Sequence, residues 1–157
     1  MSDGPRLATL DEILEVRTRV LRPHFKSGEI AHFDGDLEPS TRHFAFYQDS
    51  KVQAVLSLMH RPAPECVPQE GDAIQLRGMA VLSGSQGQGV GARLLNFALT
   101  QLALQRPDLA IAWCNARMSA YDFYYRNGWM PCGEVFDVPE IGPHTVMWRA
   151  MPVLLAS

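Results

Sequence analysis

Apolar positions recur along this chain with two periods, and the switches between them mark its elements. Arg6-Leu7-Ala8 predicts a short first strand after a frayed lead of residues 1–5. Thr9-Leu10-Asp11-Glu12 has the spacing of a capping box, in which the Thr9 hydroxyl and the Glu12 carboxylate satisfy the first N–H groups of a helix. Ile13, Leu14, Val16, Val20 and Leu21 give that helix one apolar face, and Pro23 ends it. Gly28, Asp34-Gly35-Asp36 and Pro39 then mark a long irregular connection. Alternation resumes in His43–Tyr47 and Val52–Met59, a hairpin around the polar turn Gln48-Asp49-Ser50-Lys51. Residues 61–72, with three prolines, form a surface loop.

The stretch Ala73–Gln105 organises the rest. Ile74, Leu76, Met79 and Val81 suit a central strand, and Gly84, Gly87, Gly89 and Gly91 follow in a turn. A helix starting at about Gly89 or Val90 places Val90, Leu94, Leu95, Ala98, Leu99 and Leu102 on one stripe, with Arg93, Asn96 and Thr100 opposite. Pro107 forbids much continuation past Gln105. Leu109–Cys114 is apolar nearly throughout, as a strand buried on both faces requires. A short helix from about Ser119 to Arg126 follows, capped by Ser119 with Asp122 and closed at Gly128. Strands at about Gly133–Asp137 and Thr145–Met151 complete the order β-α-ββ-β-α-β-α-ββ, a mixed sheet with helices packed on it.

Composition adds limits. A chain of 157 residues, 46% hydrophobic and 20% charged, is expected to form one soluble domain. A formal charge of −3 gives no reason to expect nucleic acid or an anionic membrane as partner. No apolar run approaches the roughly 20 residues of a membrane span, and the N-terminus does not read as a secretory signal. Cys66, Cys114 and Cys132 are odd in number and far apart, so free thiols in a reducing, cytoplasmic setting are expected, and no metal site.

The glycine-rich turn carries the chemistry. The first N–H groups of a helix lack intrahelical partners, and bare backbone lets phosphates come close. A phosphate-bearing ligand is therefore expected at this helix start. A P-loop would need Gly-Lys-Ser/Thr, which does not occur. Gly87-Gln88-Gly89-Val90-Gly91-Ala92 matches the dinucleotide pattern G-x-G-x-x-A, but Leu82–Gln86 intervene after the strand and Leu109–Cys114 ends without a ribose-binding acid.

The third reading comes from resemblance. Gln86-Gly87-Gln88-Gly89-Val90-Gly91, five residues beyond the strand end at Met79-Ala80-Val81, resembles the Arg/Gln-x-x-Gly-x-Gly/Ala signature of the GNAT superfamily of N-acetyltransferases. Ala120–Gly128 with Trp129 resembles the family's second signature, A-x-x-F/L-Y-x-x-x-G-F, with Trp129 in place of Phe. The element order agrees over nearly the whole chain. The resemblance implies an α/β (α+β) fold over residues 1–157, a single N-acetyltransferase domain. Its central sheet would be mixed and mostly antiparallel, of about six or seven strands, flanked by helices and splayed between the fourth and fifth strands. It implies acetyl-CoA as co-substrate, a primary amine of a small molecule or peptide as acceptor, and direct transfer in a ternary complex; a homodimer is allowed. Backbone groups of Met79, Ala80 and Val81 would pair with the pantetheine arm. Gln86, Gly87, Gln88, Gly89, Val90, Gly91 and Ala92 would cradle the pyrophosphate. Tyr124 matches the tyrosine assigned as the acid that protonates the leaving thiolate; otherwise it packs on the sheet beside Phe123. Tyr121 and Tyr125 are structural or substrate-side.

Departures from the pattern leave roles open. Where many members have an asparagine contacting the coenzyme, this chain has Arg117, with Asn115 two residues earlier. No acid stands on Leu109–Cys114 to serve as base; Glu29, Asp72, His144 or a water chain are the candidates, His144 first. Arg22, His24, Glu29, His32 and Asp34 either face the acceptor or form a solvated loop. Cys114 and Cys132 read as buried filling rather than as nucleophiles. A non-catalytic coenzyme A-binding module on the same fold is the alternative function.

Overall fold

The computed structural model describes residues 3–154. The order is β1 (Gly4–Ala8), α1 (Leu10–Leu21), β2 (Arg42–Gln48), β3 (Lys51–Met59), β4 (Asp72–Val81), α2 (Val90–Gln105), β5 (Leu109–Arg117), α3 (Tyr121–Arg126), β6 (Met130–Val138) and β7 (Gly142–Ala150). The seven strands make one sheet in the order β1-β2-β3-β4-β5-β7-β6. Pairs β1–β2, β2–β3, β5–β7 and β6–β7 are antiparallel, and β4–β5 is parallel. The parallel ladder runs only from Asp72↔Leu109 to Gln75↔Trp113, whereas the strands continue to Val81 and Arg117. Its early end agrees with the splay expected between the fourth and fifth strands. Among the described residues, no helix is long and apolar enough to cross a membrane.

The chain packs as two compact units, one from Met1–Met59 and Leu76–Leu102, the other from His60–Gln75 and Ala103–Ser157, as far as the described residues reach. In the first, the capping box forms as expected: Glu12 N–H donates to Thr9 Oγ1 and Thr9 N–H to Glu12 Oε1. Ile13 and Val16 of α1 pack with Ala45, Tyr47, Val55 and Ala80. The β2–β3 turn places Asp49 and Ser50 at φ 52° and 64°, the left-handed pair a two-residue hairpin needs. The first strand starts earlier than expected, since Gly4 and Pro5 pair with Tyr47 and Phe46 and Asp3 Oδ1 accepts Asp49 N–H; Met1 and Ser2 of the expected frayed lead lie outside the described residues.

In the second unit, β5 runs three residues beyond Cys114, because β7 supplies partners for Asn115, Ala116 and Arg117 in Val146, Thr145 and His144. Strands β6 and β7 likewise reach Val138↔Gly142, closed by Ile141 N–H to Val138 O and by Glu140 at φ 69°. The expected Ser119 cap does not form. Residues Met118–Ala120 make a 3-10 turn, and Ala120 starts α3 without a side-chain cap. The expected glycine stop does form. Gly128 at φ 89° lets its own N–H reach Tyr125 O, and Trp129 N–H reach Tyr124 O, a Schellman closure that fixes Tyr124 in the last turn.

The expected free thiols are overturned as well. Cys66 and Cys132 are not free thiols but a disulfide, with Cα atoms 5.8 Å apart. Val67 is 1% exposed and packs with Ala73, Ile111 and Trp113, which brings its neighbour Cys66 over β6. Sixty-six residues of sequence separate the two cysteines, so spacing could not show the pair. Cys114 is free and buried, as expected.

Candidate active site

The expected donor segment lies wholly in the first unit. Ala80 is buried at the strand end, and Met79 and Val81 are half-buried. Beyond them the chain is anchored by Leu82 N–H to Gln53 O and by Ser85 Oγ–H to Gln53 Oε1, with Ser85 itself buried. Gln86 and Gln88 brace the turn through side-chain bonds to Val81 O and Gly84 O, 3.0 and 3.2 Å. Gly87 and Gly89 sit at φ 81° and 77°. A Cβ at either would meet nothing within 4 Å, so backbone conformation rather than crowding demands glycine, and the space outside the turn is open. Arg93 N–H bonds Gly89 O at the start of α2. Helix geometry therefore turns the N–H groups of Val90, Gly91 and Ala92 outward, and no acid stands in the first turn to compete for an anion. These residues fit a pyrophosphate.

The same unit holds a buried charged network that the hydrophobic pattern did not reveal. Arg17, fully buried, donates through Nη1 to Ala31 O (3.1 Å) and Asp36 Oδ2 (2.8 Å). Its Nη2 donates to Asp36 Oδ1 (3.0 Å) and Ser57 Oγ (2.8 Å). Ser57 therefore spends its own proton on His43 Nδ1, 2.6 Å away, and His43 Nε2–H donates to the Asp36 carbonyl at 3.0 Å. Burial pushes the imidazole below its ordinary value, which keeps this tautomer neutral. Burial alone would raise the Asp36 carboxyl, but the Arg17 hydrogen bonds, Phe33 N–H and the Arg17 charge hold it below its ordinary value. Arg17 Nε has no partner among the described residues. A Cβ at Gly78 would stand 3.0 Å from that Nε and 3.1 Å from Phe33 Cε2, and φ there is +64°. Glycine is thus required just before Met79. Phe33 also stacks on the guanidiniums of Arg17, Arg77 and Arg22 at 4.2, 4.6 and 5.5 Å. The signal was a charge at an apolar register: Arg17 stands four residues after Ile13, on the helix face that packs inward.

Tyr124, in the second unit, is 6% exposed, with Phe123 and Trp129 ring centres 5.2 and 5.4 Å away. Burial pushes its phenol well above the ordinary value; the neighbouring Cys114 adds to the rise and Arg117 opposes it. The phenol therefore carries its proton at neutral pH. Arg117, half-buried, stands across from His144, and exposed Asn115 across from Val146. His144 is buried, and its Nδ1–H donates to Gly142 O at 2.8 Å. A carbonyl can only accept, so the neutral ring keeps its lone pair on Nε2. Tyr121 and Tyr125 stack on each other, 6.0 Å between centres.

The remaining candidates fall on the surface. Glu29 accepts Lys26 N–H in a turn, and Asp72 sits with Arg106 and His60 at 3.6 and 3.9 Å. His24, His32 and Asp34 are exposed, and Arg22 is half-buried. Burial drives the Cys114 thiol far up, so it supplies no thiolate. No group of three metal-binding side chains occurs among the described residues.

The acetyltransferase (GNAT) domain family matches residues 39–131. An uncharacterised N-acetyltransferase of Bacillus subtilis (strain 168), YitI, is 33% identical over 143 residues, 91% of this chain and 93% of that protein. A crystal structure of an acyl-CoA N-acyltransferase from Pseudomonas aeruginosa superposes with a TM-score of 0.73 at 24% identity, covering 95% of this chain and all of that one. An aminoglycoside 6'-N-acetyltransferase complexed with coenzyme A gives 0.64 at 12% identity, covering 93% and 92%.

Proposed function

This chain belongs to the GNAT family of acetyltransferases, and from that premise we propose that it moves an acetyl group from acetyl-CoA to a primary amine of a small molecule or peptide. The turn Gln86–Ala92 carries the reading, because it joins left-handed glycines, outward N–H groups and an acid-free helix start. A fold-mate bound to coenzyme A supports the choice of ligand. We read residues 1–157 as one N-acetyltransferase domain.

Acetyl-CoA would supply an activated thioester and a thiolate leaving group. Backbone N–H groups of Met79, Ala80 and Val81 would pair with the pantetheine arm and donate to the carbonyl oxygen as its charge develops. Tyr124 would give its proton to the departing thiolate; burial, which raises the phenol, keeps that proton in place until then. His144 Nε2 would take the proton of the attacking amine, while the Gly142 carbonyl holds the tautomer. Asn115 or Arg117 would contact the coenzyme. The absence of an available thiolate at Cys114 favours direct transfer in a ternary complex over an acyl-cysteine route.

Incubation with acetyl-CoA and a panel of primary amines, followed by free thiol release, tests the reading. Amine-dependent thiol release is expected. Tight coenzyme binding without turnover on any amine would instead mark a binding module.

A further inference from the structure

We propose that Cys66 and Cys132 form a reversible thiol–disulfide exchange site, whose bond clasps the loop between β3 and β4 onto the sheet face carrying Asn115 and His144. Four observations within the second unit support it. Cross-strand partners share a face, so β5, β7 and β6 present three rows on this side. They are Trp113–Trp148–Met130, then Asn115–Val146–Cys132, then Arg117–His144–Phe136. The rings of Phe136 and His144, 5.8 Å apart and near parallel, show the shared face directly. The loop covers the first row through Val67 and through Trp113 Nε1–H to Arg61 O, 3.1 Å. The disulfide then ties the loop to the second row, the row of exposed Asn115.

The loop has hydrogen bonds of its own besides the disulfide. Val67 N–H closes a turn onto Pro64 O, and Gln69 Nε2 bonds Pro64 O and Val67 O, both at 2.8 Å. Reduction would therefore free the rim while leaving the fold, and Cys66 would stay poised to close again. Cys66 is exposed, so a small reagent reaches it, whereas Cys114 is buried.

The oxidant class is a low-molecular-weight disulfide. The Cys66 thiolate attacks one of its sulfurs, forming a mixed disulfide and expelling one small thiolate. The Cys132 thiolate then attacks the Cys66 sulfur and expels the second. Two cysteine thiols are oxidised, one small disulfide is reduced, and the two protons end on the two small thiols. The consequence for catalysis, a change in acceptor binding, rests on the acyltransferase reading above.

The test equilibrates the full chain with oxidised and reduced glutathione at several ratios, then alkylates it in denaturant and measures intact mass. One alkylation (Cys114) is expected at the oxidising end and three at the reducing end, interconverting reversibly. A Glu-specific protease should cut after Glu65 and Glu70 faster in the reduced form. Three alkylations at every ratio, or equal cleavage, would overturn the site. For acetylation, reduction should raise the acceptor KM by roughly tenfold, with the coenzyme KM unchanged, and Cys66→Ser should stay at the reduced value whatever the ratio. A redox response of the same size in Cys66→Ser would overturn the clasp. Absence of turnover in both redox states would count against the acyltransferase reading alone, since mass and proteolysis still decide the site.

Discussion

Replacing Asp36 with alanine strands the Arg17 guanidinium in a place without water. Both oxygens of Asp36 bond Arg17, at 2.8 and 3.0 Å, and after the substitution only Ala31 O and Ser57 Oγ remain as acceptors. Nε is already without a partner among the described residues. Unit charges with centres near 4 Å apart interact by about 4 kcal/mol at an effective dielectric of 20. Breaking one partner from a buried pair costs about 3–5 kcal/mol. Two independent routes thus place the loss at about 4 kcal/mol, against about 0–1 kcal/mol for an exposed pair. Urea unfolding followed by tryptophan fluorescence measures it. The double variant Arg17→Met with Asp36→Leu removes both charges and should be more stable than Asp36→Ala alone, although Ser57 Oγ loses its Arg17 donor. A loss below about 1 kcal/mol for Asp36→Ala, or a double variant no more stable than Asp36→Ala, would refute the reasoning.

Other expectations follow from the same geometry. Tyr124→Phe should lower kcat by roughly a hundredfold and leave coenzyme affinity nearly intact; an unchanged kcat would remove the tyrosine as acid. Gly89→Asp should abolish coenzyme binding in calorimetry by placing a negative charge at the open helix start, and Gly89→Asn, with the same backbone strain, should retain more; equal affinities would sink the anion site. Acid should weaken the buried network in two stages. His43 is neutral when folded and titrates lower than its ordinary 6.5, so its contribution is full above that value and fades as pH falls below it. Asp36, also lowered, contributes above its ordinary 3.8 and loses that contribution as pH falls through its folded value. Urea midpoints near pH 7.5 and 5 should therefore differ in the native chain and less in His43→Asn; equal slopes would contradict the assignment.

Local chemistry makes much of this protein legible in its sequence. Thr9 and Glu12 meet because they lie three residues apart, and Gly128 stops α3 because the Schellman closure joins neighbours. Gly87, Gly89 and the stripe of α2 likewise announce a bare turn at a helix start, since backbone conformation and a period near 3.6 are properties of adjacent residues. The contiguous stretch Met79–Ala92, proposed to hold the coenzyme, is therefore readable as a strand end and a bare turn, and Tyr124 stands out by its motif. Partners brought together by register are not. Arg17 meets Asp36 and Ser57 across 19 and 40 residues, and Cys66 meets Cys132 across 66. Strand β5 runs to Arg117 only because β7 lies beside it, so the apolar run Leu109–Cys114 could not foretell its end. Periodicity determined the elements and the bare turn. Long-range packing decided which charges are buried, which sulfurs meet and which face His144 shares with Arg117, because those depend on strand register rather than on neighbours in sequence.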